Sequence, residues 1–201
     1  MQASRKNNDA GGSEENLDGR VRRGRENRDK ILQALYELIR ENQVPPTADQ
    51  LAARAKVGER TVFRHFADMD TLHADMTARL QSEVAPLLLK LVPPEGSFDS
   101  RLKALVHKRA EIFDHIAPFR RVAASRPEQI DQGRAQLATL LRSELEHLFA
   151  KELEHVSSET LHAIDAFASF EMWDRLRRDQ KLGRSRAEAV IREAIRRLFG
   201  Q

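Results

Sequence analysis

The residues that decide the fold read TADQLAARAKVGERTVFRHF at positions 47–66. Thr47 is a favourable N-cap for one short helix, and the pattern predicts a second short helix from about Gly58 to Phe66. Apolar side chains from both segments can share one small core, and these are Leu51, Ala52, Ala55, Val57, Val62 and Phe66. Two short helices joined by a four-residue turn form the helix-turn-helix layout.

The polar face of the second helix carries the chemistry of this motif. Arg60, Thr61 and Arg64 lie on the side away from the shared core, so that face is basic and short enough to enter a major groove. The backbone N–H groups at the start of this helix, near Gly58 and Glu59, point outward and suit a phosphate. The motif therefore predicts contacts with bases and phosphates.

Positive charge is concentrated at the same end of the chain. The whole chain of 201 residues has a net charge of +3, from 34 basic and 31 acidic side chains. Residues 20–66 hold 11 basic and 6 acidic side chains, whereas residues 67–201 are balanced at 21 of each. A short basic arm, RVRRGR at 20–25, precedes the first helix. Clustered arginines displace counterions from phosphates, which indicates a polyanionic partner.

Residues 28–72 resemble the DNA-binding domain of the TetR-type (tetracycline-repressor-like) transcriptional regulators. The matching blocks are ILQAL at 31–35, LAARA at 51–55 with Val57, TVFRHF at 61–66, and Leu72. The resemblance implies a homodimeric repressor that a small molecule releases from a palindromic operator in double-stranded DNA. The motif, the arm and the resemblance together predict which residues contact DNA. These are Arg22, Arg23, Arg25, Thr47, Gly58, Glu59, Arg60, Thr61, Phe63, Arg64 and His65.

Three positions depart from the family pattern. Lys56 replaces the usual turn glycine, so we expect a left-handed residue with a modest strain cost. Phe63 replaces the usual tyrosine and Met69 the usual lysine, which removes two groups that reach the DNA backbone in relatives. The basic arm can compensate for these losses. His65 can either contact a phosphate, as the resemblance favours, or pack as a structural histidine.

The rest of the chain predicts an all-α protein. A first helix is expected from Asn27 to before Pro45, and later helices at 69–91, 99–115, 118–124, 128–154, 159–179 and 187–199. Ser185 and Glu188 predict a capping box for the last of these. The expected organisation is a disordered tail at 1–19, the DNA-binding domain with its arm at 20–68, and a helical regulatory and dimerisation domain at 69–201.

Several function classes are excluded or disfavoured. The chain has no Cys, which excludes disulfides, thiolate metal clusters and a cysteine nucleophile. No apolar run is long enough for a membrane span and the polar N-terminus does not resemble a secretory signal, so a cytoplasmic location is expected. The histidines lack compact metal-ligand spacing, and no nucleophile elbow or phosphate-binding glycine loop is present. We expect neither enzymatic activity nor a metal or cofactor.

A ligand pocket and a dimer interface are expected in the larger domain. The candidate pocket residues are Met76, Leu80, His107, Phe113, His115 and Phe119, although the aromatic ones can equally be ordinary bundle core. Two apolar stripes exceed what one surface helix needs and predict a four-helix dimer bundle. They comprise Ile164, Phe167, Phe170, Trp173, Val190, Ile191, Ala194, Ile195 and Leu198.

Two alternative functions remain open at this level. One is a DNA-binding protein of the same fold without a small-molecule switch. The other is a helical adaptor whose basic end is incidental. Salt-dependent binding to duplex DNA is expected of the repressor and of the protein without a switch, but not of the adaptor. Loss of that binding on adding a ligand is expected of the repressor alone.

Overall fold

The computed structural model describes residues 11–65, 69–124 and 132–200, and every regular element within those ranges is a helix. The chain forms two compact units, one ending at Arg79 and the other beginning at Leu80. The division falls inside α4 (Met69–Leu89) and not at the predicted boundary between residues 68 and 69, because one helix continues from the first unit into the second. The described part of the chain contains no helix long and apolar enough to cross a membrane.

The first unit begins with a helix that is longer than predicted. α1 runs from Gly11 to Asn42, so residues 11–19, which were expected to be a disordered tail, are helical, and residues 1–10 lie outside the described ranges. Glu and Arg are frequent between positions 14 and 28, and both are good helix formers. Arg22 and Glu26 form an i, i+4 ion pair at 3.7 Å. The packed C-terminal half supplies the nucleus from which this polar stretch extends.

Two short helices pack against α1. They are α2 (Ala48–Ala55) and α3 (Glu59–His65), and their buried side chains are Leu51, Ala52, Ala55 and Val62. From α1, Ile31, Leu35 and Ile39 contribute side chains that are at most 2% exposed. The predicted shared core is therefore confirmed for these four residues, whereas Val57 is half-buried and Phe66 lies outside the described residues. Arg54 of α2 donates to Glu41 of α1 at 2.6 and 2.9 Å and holds the two helices together.

The second unit is built around α5 (Phe98–Ala123). This helix continues through Pro118, where two separate helices had been predicted, because its apolar face stays buried on both sides of the proline. The remaining helices are α6 (Gln132–Leu148), α7 (Ala150–Leu153), α8 (Ser158–Phe167), α9 (Phe170–Asp174) and α10 (Arg184–Leu198), with a π-helical turn at Arg175–Asp179.

Helix ends account for the other differences from prediction. The predicted helix 159–179 is interrupted after α8, where the Ser169 hydroxyl accepts from the Met172 N–H at 3.3 Å and starts a new helix. The expected Ser185 cap is wrong. α10 begins at Arg184 after Gly183, and Glu188 pairs with Arg184 at 3.0 Å instead of reaching back to a cap.

Candidate functional site

The start of α2 is fixed by a reciprocal cap. The Gln50 N–H donates to the Thr47 hydroxyl at 3.3 Å, and the Thr47 N–H donates to the Gln50 side-chain oxygen at 2.9 Å. The predicted N-cap at Thr47 is confirmed. The Thr47 hydroxyl therefore stabilises the end of α2. Its contact with DNA stays a prediction.

The turn of the motif has the strained geometry that the sequence predicts. Lys56 adopts φ 55° and ψ 44°, a left-handed conformation that disfavours any residue with a Cβ. The Val57 N–H donates to the Ala52 carbonyl at 3.0 Å and closes the turn. The Thr61 N–H then donates to the Gly58 carbonyl at 2.8 Å as α3 begins. The rigid turn sets the angle at which α3 leaves α2.

The outer face of α3 is both basic and apolar. Arg60 and Arg64 are exposed, Thr61 is half-buried, and Val62 on the inner face is 2% exposed. Between the arginines lies Phe63, whose side chain is 59% exposed, which is unusual for so large an apolar group in this unit. Arginine forks and an apolar ring on one short helix can read base edges in a major groove, where guanine presents two acceptors and thymine a methyl group.

The predicted basic arm is part of α1 and lies beside α3. Arg22, Arg23 and Arg25 are all exposed on this helix. At Gly24, an added Cβ would lie 3.7 Å from Cε1 of His65, which places this turn of α1 against the end of α3. This turn of α1 therefore lies next to the end of α3, and both segments carry exposed arginines.

His65 is placed differently from its predicted phosphate contact. Its Nε2 atom is buried and has no hydrogen-bond partner among the described residues. Burial, with the positive charges of Arg64 and Arg28, lowers the pKa of His65, so the ring is neutral at pH 7. Its backbone carbonyl accepts from Arg28 Nη1 at 3.5 Å, and Arg28 Nη2 pairs with Asp75. This geometry favours a structural role for His65.

Two carboxylates meet at the helix starts, a feature that the sequence patterns did not predict. Asp49 lies in the first turn of α2 and Glu59 in the first turn of α3. A hydrogen bond with the Asp49 side chain and repulsion from its charge raise the pKa of Glu59. The pair places negative charge at the edge of an otherwise basic surface.

The second unit contains a cavity of about 80 Å³ between α5, α6 and the α8–α9 junction. Of the six predicted pocket residues, Phe113 alone lines it. Met76 belongs to the first unit, and Leu80 and Phe119 lie away from this cavity. His107 contacts Glu188 at 3.3 Å, and His115 contacts Glu83 at 3.1 Å. These two histidines of α5 therefore contact carboxylates on different helices and do not line this cavity.

Two cations are buried in the second unit without any signal in the sequence pattern. Lys108 is 6% exposed and donates to Glu144 at 2.5 Å and to the Leu88 carbonyl at 3.0 Å. Arg109 is 3% exposed and donates to the backbone carbonyls of Ala168, at 2.8 Å, and Leu141. Their partners lie 20 to 59 residues away in the chain, so no local motif reveals them.

The predicted dimer residues divide into two groups. Four of them are only 0–3% exposed within one subunit, namely Ile164, Trp173, Ile191 and Ile195. They belong to the subunit core, and their prediction as interface residues is wrong. Trp173 also donates from Nε1 to Asp114 at 3.0 Å. Phe167, Phe170, Ala194 and Leu198 are half-buried, and Val190 is 39% exposed. Helical periodicity alone could not distinguish the inward stripe from the outward one.

The architecture is that of an all-α protein with a helix-turn-helix unit followed by a larger helical unit. Among solved structures, it is similar to a TetR family transcriptional regulator from Pseudomonas syringae pv. tomato str. DC3000. The match has a TM-score of 0.56, covers 86% of this chain and 95% of that chain, and has 22% sequence identity. The predicted TetR-type fold is therefore confirmed. No family model and no curated protein sequence matches the chain.

Proposed function

We propose that this protein is a DNA-binding transcriptional regulator. The observation that carries the proposal is that the exposed arginines of α3 are accompanied by those of a neighbouring turn of α1, which lies beside the end of α3 where Gly24 meets His65. A short helix flanked by cations matches the width and charge of a DNA major groove. The fold shared with a TetR family regulator supports the same conclusion.

The side chains on this surface have distinct roles in the proposal. Arg60 and Arg64 donate to guanine edges or adjacent phosphates, and Thr61 supplements them from the same face. The exposed Phe63 ring packs against a thymine methyl group. Gly58 lets the backbone approach closely, since a Cβ there would meet no protein atom within 4 Å and its absence serves no internal packing.

The finer proposal is a homodimeric repressor that a small molecule releases from a palindromic operator. One helix-turn-helix unit buries little DNA, so two copies on a two-fold axis supply the affinity that regulation requires. The candidates for the contact between copies are the residues of this set that keep part of their surface exposed, namely Phe167, Val190, Ala194 and Leu198. The cavity in the second unit is the candidate for the effector. A regulator of the same fold without a switch is the alternative.

The test is binding to duplexes selected from a random-sequence pool, measured by fluorescence anisotropy. Arg64→Ala should weaken binding to the selected duplex by about 1–3 kcal/mol if it makes a paired base contact. Arg186→Ala removes one exposed positive charge from the second unit and serves as the matched control. No duplex selected above background, or equal losses for both variants, would support the helical adaptor instead.

Salt dependence tests the basic arm separately. Replacing Arg22, Arg23 and Arg25 together with Gln retains residues with good helix propensity but removes three charges. The slope of log affinity against log salt should then become shallower by about 0.9 for each phosphate that the arm no longer neutralises. An unchanged slope would show that the arm does not touch the DNA backbone.

A further inference from the structure

The second unit holds a buried positive charge that makes no direct ion pair within the described residues. Arg109 is 3% exposed, and the charges of Glu144 and Asp165 attract it without forming an ion pair with it. Two of its N–H groups donate to backbone carbonyls, while its Nε atom is buried with no acceptor. Burial lowers the pKa of Arg109 to about 10, and it remains protonated at pH 7. Buried charges in proteins are normally paired or bound to a ligand.

This guanidinium lies at the wall of the 80 Å³ cavity. Arg120 from α5 and Arg134 from α6 also line it, so three cations surround one small space. Apolar walls come from Phe113, Leu137, Leu141 and Phe170. A cavity with a cationic side and an apolar side suits a ligand with one anionic group and an apolar body.

A carboxylate of the protein already occupies part of this cationic side. Glu171 accepts from Arg134 at 2.6 Å and lies 3.7 Å from Arg120, whose guanidinium stacks over the Phe170 ring at 4.6 Å. Asp165 is the second acidic residue of the lining. Among the described lining residues, three arginines face two carboxylates, and this excess of positive charge favours an anionic group on the ligand.

We propose that this cavity binds a small organic carboxylate with an apolar body, held by the cluster of Arg109, Arg120 and Arg134. The ligand carboxylate takes the Arg109 Nε–H as a donor and competes with Glu171 for Arg134. Charge-assisted hydrogen bonds of this kind are stronger than neutral ones, and they offset the desolvation of a buried guanidinium. The role of this ligand as the effector of the regulator rests on the proposed function, whereas its binding to the cavity does not.

The experiment measures binding of propionate and butyrate, which suit so small a cavity, to the full chain without DNA, by calorimetry and thermal shift. Their neutral amides, propionamide and butyramide, have nearly the same shape without the charge and serve as ligand controls. Each acid should raise the melting temperature of the wild-type protein, and its amide should not. This result requires no DNA, so a failure here differs from a failure to bind operator duplexes.

Two substitutions at the edge of the cavity give opposite expected results. Arg134→Gln, at a side chain that is 61% exposed, should weaken carboxylate binding about tenfold by removing one charged donor. Glu171→Gln should strengthen it, because the resident competitor loses its charge. Arg186→Gln, on α10 away from the lining residues, should leave binding unchanged. None of these side chains is buried, so folding should be preserved in all three.

Three outcomes would overturn the proposal. The first is that neither acid binds the wild type or the Glu171→Gln variant. The second is that acids and amides bind equally, which would make the site apolar only. The third is that Arg134→Gln binds the acids as tightly as the wild type does. If the acids bind as expected yet do not change DNA affinity, the cavity assignment stands and the repressor-release mechanism is wrong.

Discussion

The two units use arginine in opposite ways. In the first unit, Arg60 and Arg64 are exposed on a short helix. In the second, Arg109 is buried with Lys108 in the core of a helical bundle. An exposed cation keeps its hydration until a polyanion replaces it, whereas a buried one has already lost its water and must be satisfied within the fold or by a ligand. The same residue type therefore fits the proposed polyanionic partner in the first unit and the proposed ligand in the second.

The largest expected effect concerns two adjacent residues of α10. Ile191 is 3% exposed and Val190 is 39% exposed. Ile191→Glu places a charge in the core and should cost about 3–5 kcal/mol, which is enough to unfold the second unit. Val190→Glu should leave a folded protein that sediments as a monomer. Circular dichroism melts and analytical ultracentrifugation of both variants test this difference.

The outcome decides whether the exposed side of α10 around Val190 is an interface between copies. A wild-type monomer at micromolar concentration would remove the dimer proposal and the palindromic operator with it. A Val190→Glu variant that remains dimeric would move the interface away from α10. Equal destabilisation by both substitutions would mean that Val190 also belongs to the subunit core.

The first unit was more predictable from sequence than the second for a physical reason. Its motif lies within twenty consecutive residues, so the cap at Thr47 and the polar face of α3 follow from local patterns. The left-handed Lys56 follows from the resemblance to a family that has a glycine at this position. The sequence could not indicate that the arm is helical, because polar Glu- and Arg-rich segments suit both a helix and a disordered tail.

The cavity of the second unit depends on contacts distant in sequence. Arg109 is joined to carbonyls 32 and 59 residues away, and its apolar neighbours on α5 give no sign of a buried charge. Hydrophobic periodicity located the stripes of α8 and α10, but core and interface residues have the same period. Only packing showed that Ile164 and Ile195 face inward.

A smaller effect is expected at the turn of the helix-turn-helix motif. Lys56→Gly should relieve the cost of a left-handed residue, about 1–2 kcal/mol, and lose part of this gain to the greater entropy of the unfolded chain. The net stabilisation should be about 0.5–1 kcal/mol, seen as a higher melting temperature of the first unit. Lys56→Ala keeps the Cβ and should give no comparable gain. A destabilised glycine variant would mean that the lysine stem contributes packing.

The smallest expected effect is at Glu59, where the basic surface carries its misplaced negative charge. The raised pKa of Glu59 means that the folded state holds a proton more tightly than the unfolded state, whose value is near 4.5. Stability should therefore decline as pH rises from that value through the raised pKa, and remain reduced at pH 7. A negative charge at a helix start is normally favourable, but here the hydrogen bond with the Asp49 side chain and the repulsion from its charge outweigh that effect, since the pKa rises. Glu59→Gln should melt slightly higher than the wild type at pH 7 and equally at pH 4. Asp49→Asn should give a similar gain, and the double variant less than the sum of the two, because both remove the same repulsion.

The Glu59→Gln variant should also bind duplex DNA more tightly, because it removes a charge that faces phosphates. Weaker binding confined to selected duplexes with one particular cytosine would instead make Glu59 a base-reading residue.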